Sequence, residues 1–198
     1  FRQIRFMDLD KNELRLKTIK AKKMMLLFSL LSIAMTFAGL TSAYIVSKAR
    51  PDWLKNFDLP ISFSISTLVI ALSSLTIWLA KKYLFKNEIK NTNKWLTVTF
   101  LLGIFFVALQ IYGFNSIINQ GYFFTGAQST VTTSFLYVLT ALHLVHLFAG
   151  LVVLSVVIIN NLKNKYLKEK LGFELAVTFW HFLGGLWLYL FVFLYFFR

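Results

Sequence analysis

Five long apolar runs alternate with short charged stretches along this chain of 198 residues: Met24–Val46, Pro60–Ala80, Trp95–Phe114, Ser134–Ile159 and Leu175–Phe197. Each has about the 20 residues that an α-helix needs to cross a ~30 Å hydrocarbon layer. The 21 Lys and Arg and the 8 Asp and Glu all fall outside the runs. An ionised side chain at mid-bilayer costs at least ~2.5–3.5 kcal/mol, so that exclusion has a physical cause. The pattern predicts an all-α integral membrane protein with five transmembrane helices. A basic segment over 1–23 precedes a transmembrane domain over 24–198, with spans at 24–46, 60–80, 95–114, 134–159 and 175–197.

The connections are short, the longest being Asn115–Thr133 with 19 residues, which leaves no room for a soluble domain. That third connection carries no charge and is rich in Gly, Ser, Thr, Asn and Gln, which predicts packing against protein. The short link between spans 1 and 2 predicts an antiparallel hairpin. Pro51 follows span 1, and Pro60 opens span 2 where its missing N–H costs nothing. Trp53, Trp78, Tyr83 and Trp95 stand near run ends, as interfacial aromatics do. No internal repeat is visible, which weighs against an inverted-repeat transporter.

The distribution of charge adds an orientation. Of the 21 basic residues, 8 lie in residues 1–23, five in the second connection (Lys81, Lys82, Lys86, Lys90, Lys94) and four in the fourth (Lys163, Lys165, Lys168, Lys170). These segments share one side; the other holds Lys48, Arg50, Lys55 and Arg198. By the positive-inside rule the N-terminus is cytoplasmic and the C-terminus lies outside. The net charge of +13 therefore belongs to lysines that set topology beside anionic lipid headgroups, and nucleic acid is not the expected partner. The first 23 residues mix acids and bases without an apolar core, unlike a cleavable signal peptide. With no cysteine, the chain offers no disulfide and no thiolate ligand.

Candidate chemistry is sparse. Thr140, His143, His146 and Gly150 form one stripe of span 4, the small and polar pattern of close helix packing in lipid. His146 lies about 13 residues, ~20 Å, from the inner end of its span, and His181 about 6 residues, ~9 Å, from the inner end of span 5. That ~11 Å mismatch argues against a shared metal ion, whose bond to nitrogen is ~2 Å, and no facing pair offers two haem ligands. No Asp or Glu lies inside a span, and Glu174 stands at the inner boundary of span 5. Proton relays usually need a membrane carboxylate, so the chain is not expected to conduct protons itself. Gln110 in span 3 needs a partner helix. The ten aromatics of span 5 lie all round the helix, so most face lipid or neighbouring helices.

His143-Leu-Val-His146-Leu-Phe-Ala-Gly150, followed by Phe179-Trp180-His181-Phe182-Leu-Gly-Gly-Leu-Trp187, resembles subunit III of the haem-copper oxygen reductases. Gly172-Phe173-Glu174 at the loop end, Phe37-Ala38-Gly39-Leu40 with Tyr44 in span 1, and Pro51-x-Trp53 extend the resemblance over about 24–198. It is similar to the family's short five-span bacterial form. The resemblance implies an accessory, non-redox subunit of a respiratory cytochrome c oxidase, which reduces oxygen to water and pumps protons. Haem and copper would reside in partner subunits I and II, with subunit I the main contact and other respiratory subunits possible. This chain would carry no catalytic centre and no metal, in a bacterial inner membrane. It would hold phospholipids in the cleft of a V in which helices 1–2 lean away from helices 3–5. Trp53, His143, His146, Glu174, Trp180 and His181 are then the lipid-binding or structural residues.

Three positions depart from the family pattern. Ser32-Ile33, Gln110-Ile-Tyr-Gly113 and His181-Phe-Leu-Gly184 stand where the family commonly has membrane acids, which favours a structural, lipid-holding role over proton handling. A quinol oxidase subunit III, an accessory subunit of nitric oxide reductase and, in another class, a small transporter or scaffold stay open.

Overall fold

A computed structural model describes residues 2–50, 53–54, 60–122, 124, 130–167 and 169–197, with side chains from residue 12 onward except at 167. Pro51, Lys55, Lys168 and Arg198 lie outside the described residues. Five long helices follow one another: α1 (Arg2–Ser47), α2 (Ile61–Phe85), α3 (Ile89–Asn119), α4 (Val131–Leu162) and α5 (Leu171–Phe197), with a 3-10 turn at Lys165–Leu167 before α5. All five are long and apolar enough to cross a membrane, and no strand occurs among the described residues.

Helix ends follow local chemistry. The Pro60 carbonyl accepts the Phe63 N–H as α2 begins. Thr130 caps α4 through a reciprocal bond with Thr133, satisfying donors that have no partner inside the helix. Asn87 turns the chain from α2 to α3 at φ 59°, a left-handed conformation that asparagine tolerates better than most residues. The described parts of the third connection are folded rather than extended. α3 continues to Asn119 and α4 starts at Val131, while Tyr137 Oη donates to the Tyr122 carbonyl and Ser134 Oγ to that of Phe124. Residues 123 and 125–129 of that connection lie outside the described set.

α5 sits at the centre, against α1, α2 and α4; α2 lies mainly along α3; and α1 touches α4 and α5. Half of the most apolar window of α5 is buried (50%), against 11% for α1. This corrects two expectations. Spans 1 and 2 do not pair as a hairpin, and helices 1–2 do not lean together away from helices 3–5. The cause is polar. In lipid a side-chain amide or an indole N–H has no solvent partner, so the helix that supplies an acceptor becomes the neighbour. The hydroxyls of α2 meet donors on α3 and α5, and the residues between Ser47 and Ile61 are numerous enough to let α2 cross to them. α1 instead docks through Phe37, Thr41 and Tyr44, all buried in its far half, while Met25 (69% exposed) and Leu27 (55%) nearer the lysine-rich end stand clear.

Candidate functional site

The interior is built from hydrogen bonds between helices. Gln110 Nε2 on α3 donates to Ser66 Oγ on α2 at 2.7 Å, which supplies the partner that the sequence required. Thr76 and Thr99 share a bond of 2.8 Å across the same pair of helices. From α5, Trp180 Nε1 donates to Ser73 Oγ at 3.1 Å and Trp187 Nε1 to Thr67 Oγ1 at 3.0 Å. Thr41 on α1 and Tyr189 on α5 lie 2.9 Å apart, and Asn161 Nδ2 donates to Asn93 Oδ1 at 2.7 Å near the lysine-rich end. Each such bond is worth roughly 0.6–2 kcal/mol in a bilayer. Together they fix which helices are neighbours.

His143 is fully buried among aromatic rings, with Trp187 at 5.2 Å, Phe106 at 6.1 Å and Phe37 at 6.4 Å between centroids. Neither ring nitrogen has a hydrogen-bond partner among the described residues. His146, half-buried one turn further along α4, also packs against Phe37 at 5.8 Å, with Nδ1 2.8 Å from the Leu142 carbonyl. His181 is half-buried on α5, within reach of the Lys81 charge. Among the described residues no group of three His, Cys, Asp or Glu side chains is placed to hold a metal ion.

Two openings lie at the lysine-rich end. One, of about 420 Å³, separates the exposed half of α1 from the start of α5 and the end of α2; Lys23, Lys81 and Glu174 line it, with leucines below. The other, of about 230 Å³, lies between α1 and the α4–α5 connection and carries Lys22, Lys165, Glu169 and Tyr166. Burial raises the Tyr166 phenol above its ordinary pKa, with the Asn160 side chain acting against that shift.

A family model described as cytochrome c oxidase subunit III matches residues 16–198, taking in all of this core and both openings. The chain belongs to that family. It is 31% identical over 166 residues to the cytochrome c oxidase subunit 3 of a Bacillus species (strain PS3), covering 80% of this chain and 77% of the relative. It is 28% identical over 175 residues to that of Thermostichus vulcanus, covering 86% and 84%. A probable cytochrome c oxidase subunit 3 of Rickettsia felis is 34% identical over 151 residues, which cover 74% of this chain and 52% of the relative.

Within this subunit III chain the six residues singled out from sequence do not form one site. Trp53 packs edge-on to Tyr44 at 4.7 Å near the far end of α1, and His143 and His146 both pack against Phe37. Trp180 is wedged between Gly103 and Gly150, each of which would bring an added Cβ within 3.5 Å of its indole. Glu174 and His181 sit toward the lysine-rich end, and Glu174 alone of the six lines the larger opening. Sequence reasoning missed Lys23 and Lys81 beside Glu174, because lysines at span ends read only as topology signals. The Ser and Thr cluster over 62–76 was the available sign that α2 would bond to several helices.

Proposed function

We propose that this chain is the accessory, non-redox subunit III of a respiratory cytochrome c oxidase, bracing the catalytic subunit and holding phospholipids. Subunit I is its main partner, with subunit II and other respiratory subunits beside it, and haem and copper belong to those chains. The carrying observation is that Gln110 of α3 and Trp180 and Trp187 of α5 all donate to hydroxyls of α2, in a chain matched to the family along residues 16–198. Such an interior holds shape rather than performing chemistry. The chain is a multi-pass membrane protein; its lysine-rich end is read as cytoplasmic by the positive-inside rule, placing the C-terminus outside, in a bacterial inner membrane.

The six sequence-predicted residues divide accordingly. Trp53, His143, His146 and Trp180 are structural, and Glu174 with His181 serve the lipid-facing end. Purifying the complex that carries the chain tests this reading. A haem–copper spectrum and a subunit II with copper ligands are the expected result. A complex whose subunit II lacks copper ligands would move the chain to a quinol oxidase, and a chain isolated without haem proteins would overturn the reading.

A further inference from the structure

We propose that the exposed seam between α1 and α4 seats a transmembrane helix of a neighbouring subunit, one that carries a side-chain N–H or O–H at mid-membrane. That helix packs along Ser32, Thr36, Gly39 and Ala43 of α1 and donates a hydrogen bond to Nε2 of His146. The proposal rests on the accessory role above and gives it a contact surface.

His146 carries the argument. It stands twelve residues after Ser134 and thirteen before Ile159, at the midpoint of its apolar run, so its ring lies near the bilayer centre. Nδ1 is 2.8 Å from the Leu142 carbonyl, which can only accept, so Nδ1 holds the proton and Nε2 is left as an acceptor. Nε2 has no hydrogen-bond partner among the described residues and, unlike the nitrogens of His143, is not buried. The α1 residues on that side, Ile33, Phe37 and Leu40, are apolar and have no proton to give it. At this depth neither water nor headgroups reach, and acyl chains carry no N–H or O–H. A neighbouring helix can supply the donor, as α3 and α5 do for the hydroxyls of α2.

The surface beside His146 is shaped for such a neighbour. α5 holds one side of α1 through the Thr41–Tyr189 bond. The smaller opening, lined by Lys22 of α1 and Asn160 of α4, marks the other side as that of α4. Along that other flank Ser29, Ser32, Thr36, Gly39 and Ala43 recur every three or four residues, and all are exposed. Thr36 and Gly39 lie within a turn of Phe37, which packs against His146, so the small residues and the free nitrogen share one level. A Cβ at Gly39 would meet nothing within 4 Å. Small side chains let a second backbone approach closely, which acyl chains do not require. The exposed faces of α2 and α3 differ, with Leu68, Leu72, Leu75, Leu101, Phe105 and Ile111 turned outward as for lipid. With 11% of its most apolar window buried, α1 also has the most surface left to give.

The test uses the full chain in its complex, placed in nanodiscs. The chain has no cysteine, so Thr36→Cys and, on the bulky face of α2, Leu72→Cys each accept a single benzophenone label. Illumination followed by mass spectrometry is expected to join the Thr36→Cys label to a transmembrane segment of a stoichiometric subunit, and the Leu72→Cys label to lipid. Gly39→Leu fills the seam without meeting this chain's own atoms. It is expected to lower retention of the neighbouring subunit in mild detergent about tenfold, while the chain alone runs unchanged on size exclusion. His146→Leu removes one bond between helices and is expected to lower that retention about three- to thirtyfold. An adduct to lipid alone from Thr36→Cys, or retention unchanged by either substitution, would overturn the proposal. If haem–copper subunits co-purify and the Thr36→Cys label still meets lipid alone, the seam fails and the accessory role stands. If a stoichiometric subunit of a complex without haem takes the adduct, the seam stands and the accessory role fails.

Discussion

The indole Nε1 of Trp180 on α5 donates to the Ser73 hydroxyl on α2 at 3.1 Å, with Trp180 only 2% exposed and Ser73 fully buried. This bond joins helices far apart in the chain and holds α2 away from α1. Ser73→Ala leaves the N–H without a partner in an apolar interior and is expected to destabilise the bundle by roughly 1–2 kcal/mol. Thermal unfolding in detergent checks this. An unchanged midpoint would mean that packing alone sets the position of α2.

Trp180 also separates two glycines that look alike in sequence but differ in what surrounds them. A Cβ at Gly103 would stand 2.8 Å from the Trp180 ring and 2.8 Å from Leu151, while one at Gly150 would meet the Leu183 methyl at 2.7 Å and the ring only at 3.5 Å. A leucine end can rotate away, whereas a fully packed indole cannot. Gly103→Ala is therefore expected to cost about 1–3 kcal/mol, and Gly150→Ala less. Comparing the two variants in one unfolding assay decides the point, and a reversed order would refute the packing argument.

Much of this architecture is legible in the amino-acid sequence. The absence of charge marked the five spans, and the Thr140–Gly150 stripe marked the buried side of α4, where Thr140, His143 and Gly150 are all buried. The need of Gln110 for a partner pointed to an interhelical bond that Ser66 supplies. Which helices touch was not legible. Hydropathy reports that a segment prefers lipid to water and is silent on its neighbour, because lipid and a packed helix are about equally apolar. The hydroxyls of Ser66, Thr67, Ser73 and Thr76 each donate to a carbonyl of α2 itself, which leaves their oxygens free to accept from any neighbour. Only the facing Gln110, Trp187, Trp180 and Thr99 give them a direction. The opening at Glu174 was hidden for a related reason: it depends on where α1 stops touching α5.

His143 gives a prediction of opposite sign. Both its ring nitrogens are buried without hydrogen-bond partners among the described residues, against the rings of Phe37, Phe106 and Trp187. Removing a polar group that makes no bond, while keeping an apolar shape, is close to neutral or stabilising. His143→Leu is expected to fold at least as stably as the parent and to leave the haem spectrum of the complex unchanged. A loss of about 2 kcal/mol or more would show that the imidazole has a partner that matters.

The positions that depart from the family pattern now have surroundings. A Cβ at Gly113 would stand 2.8 Å from Ser62 Oγ, and one at Gly184 3.1 Å from Ser74 Oγ, so both glycines let α2 lie close. Gly113→Glu and Gly184→Asp must push α2 away as well as place a carboxylate in lipid. Ile33 on α1 is only half-buried, and Ile33→Glu carries chiefly the charge penalty, about 2.5–3.5 kcal/mol. The expected order of damage to folded yield puts both glycine variants below Ile33→Glu. Membrane-extracted protein of each variant, measured by size exclusion, tests that order.

The accessory role predicts a particular time course. A catalytic component fails at once when it is removed, whereas a brace fails slowly. The side-chain donors Gln110 and Trp187 of this core are directed at hydroxyls of α2, Ser66 and Thr67, which ties them to holding the helices together. A complex stripped of this chain, with its haems in place, is therefore expected to begin oxygen reduction near the normal rate and then to lose activity faster. Core variants that loosen the bundle, such as Gly103→Ala, should shorten the active lifetime in the same way while leaving the initial rate unchanged. The measurement is initial rate and half-life of turnover, with and without the subunit, on complexes matched for haem content. Immediate and complete loss of oxygen reduction in the otherwise intact complex would sink the accessory reading, because bracing acts on how long the partner works rather than on whether it starts.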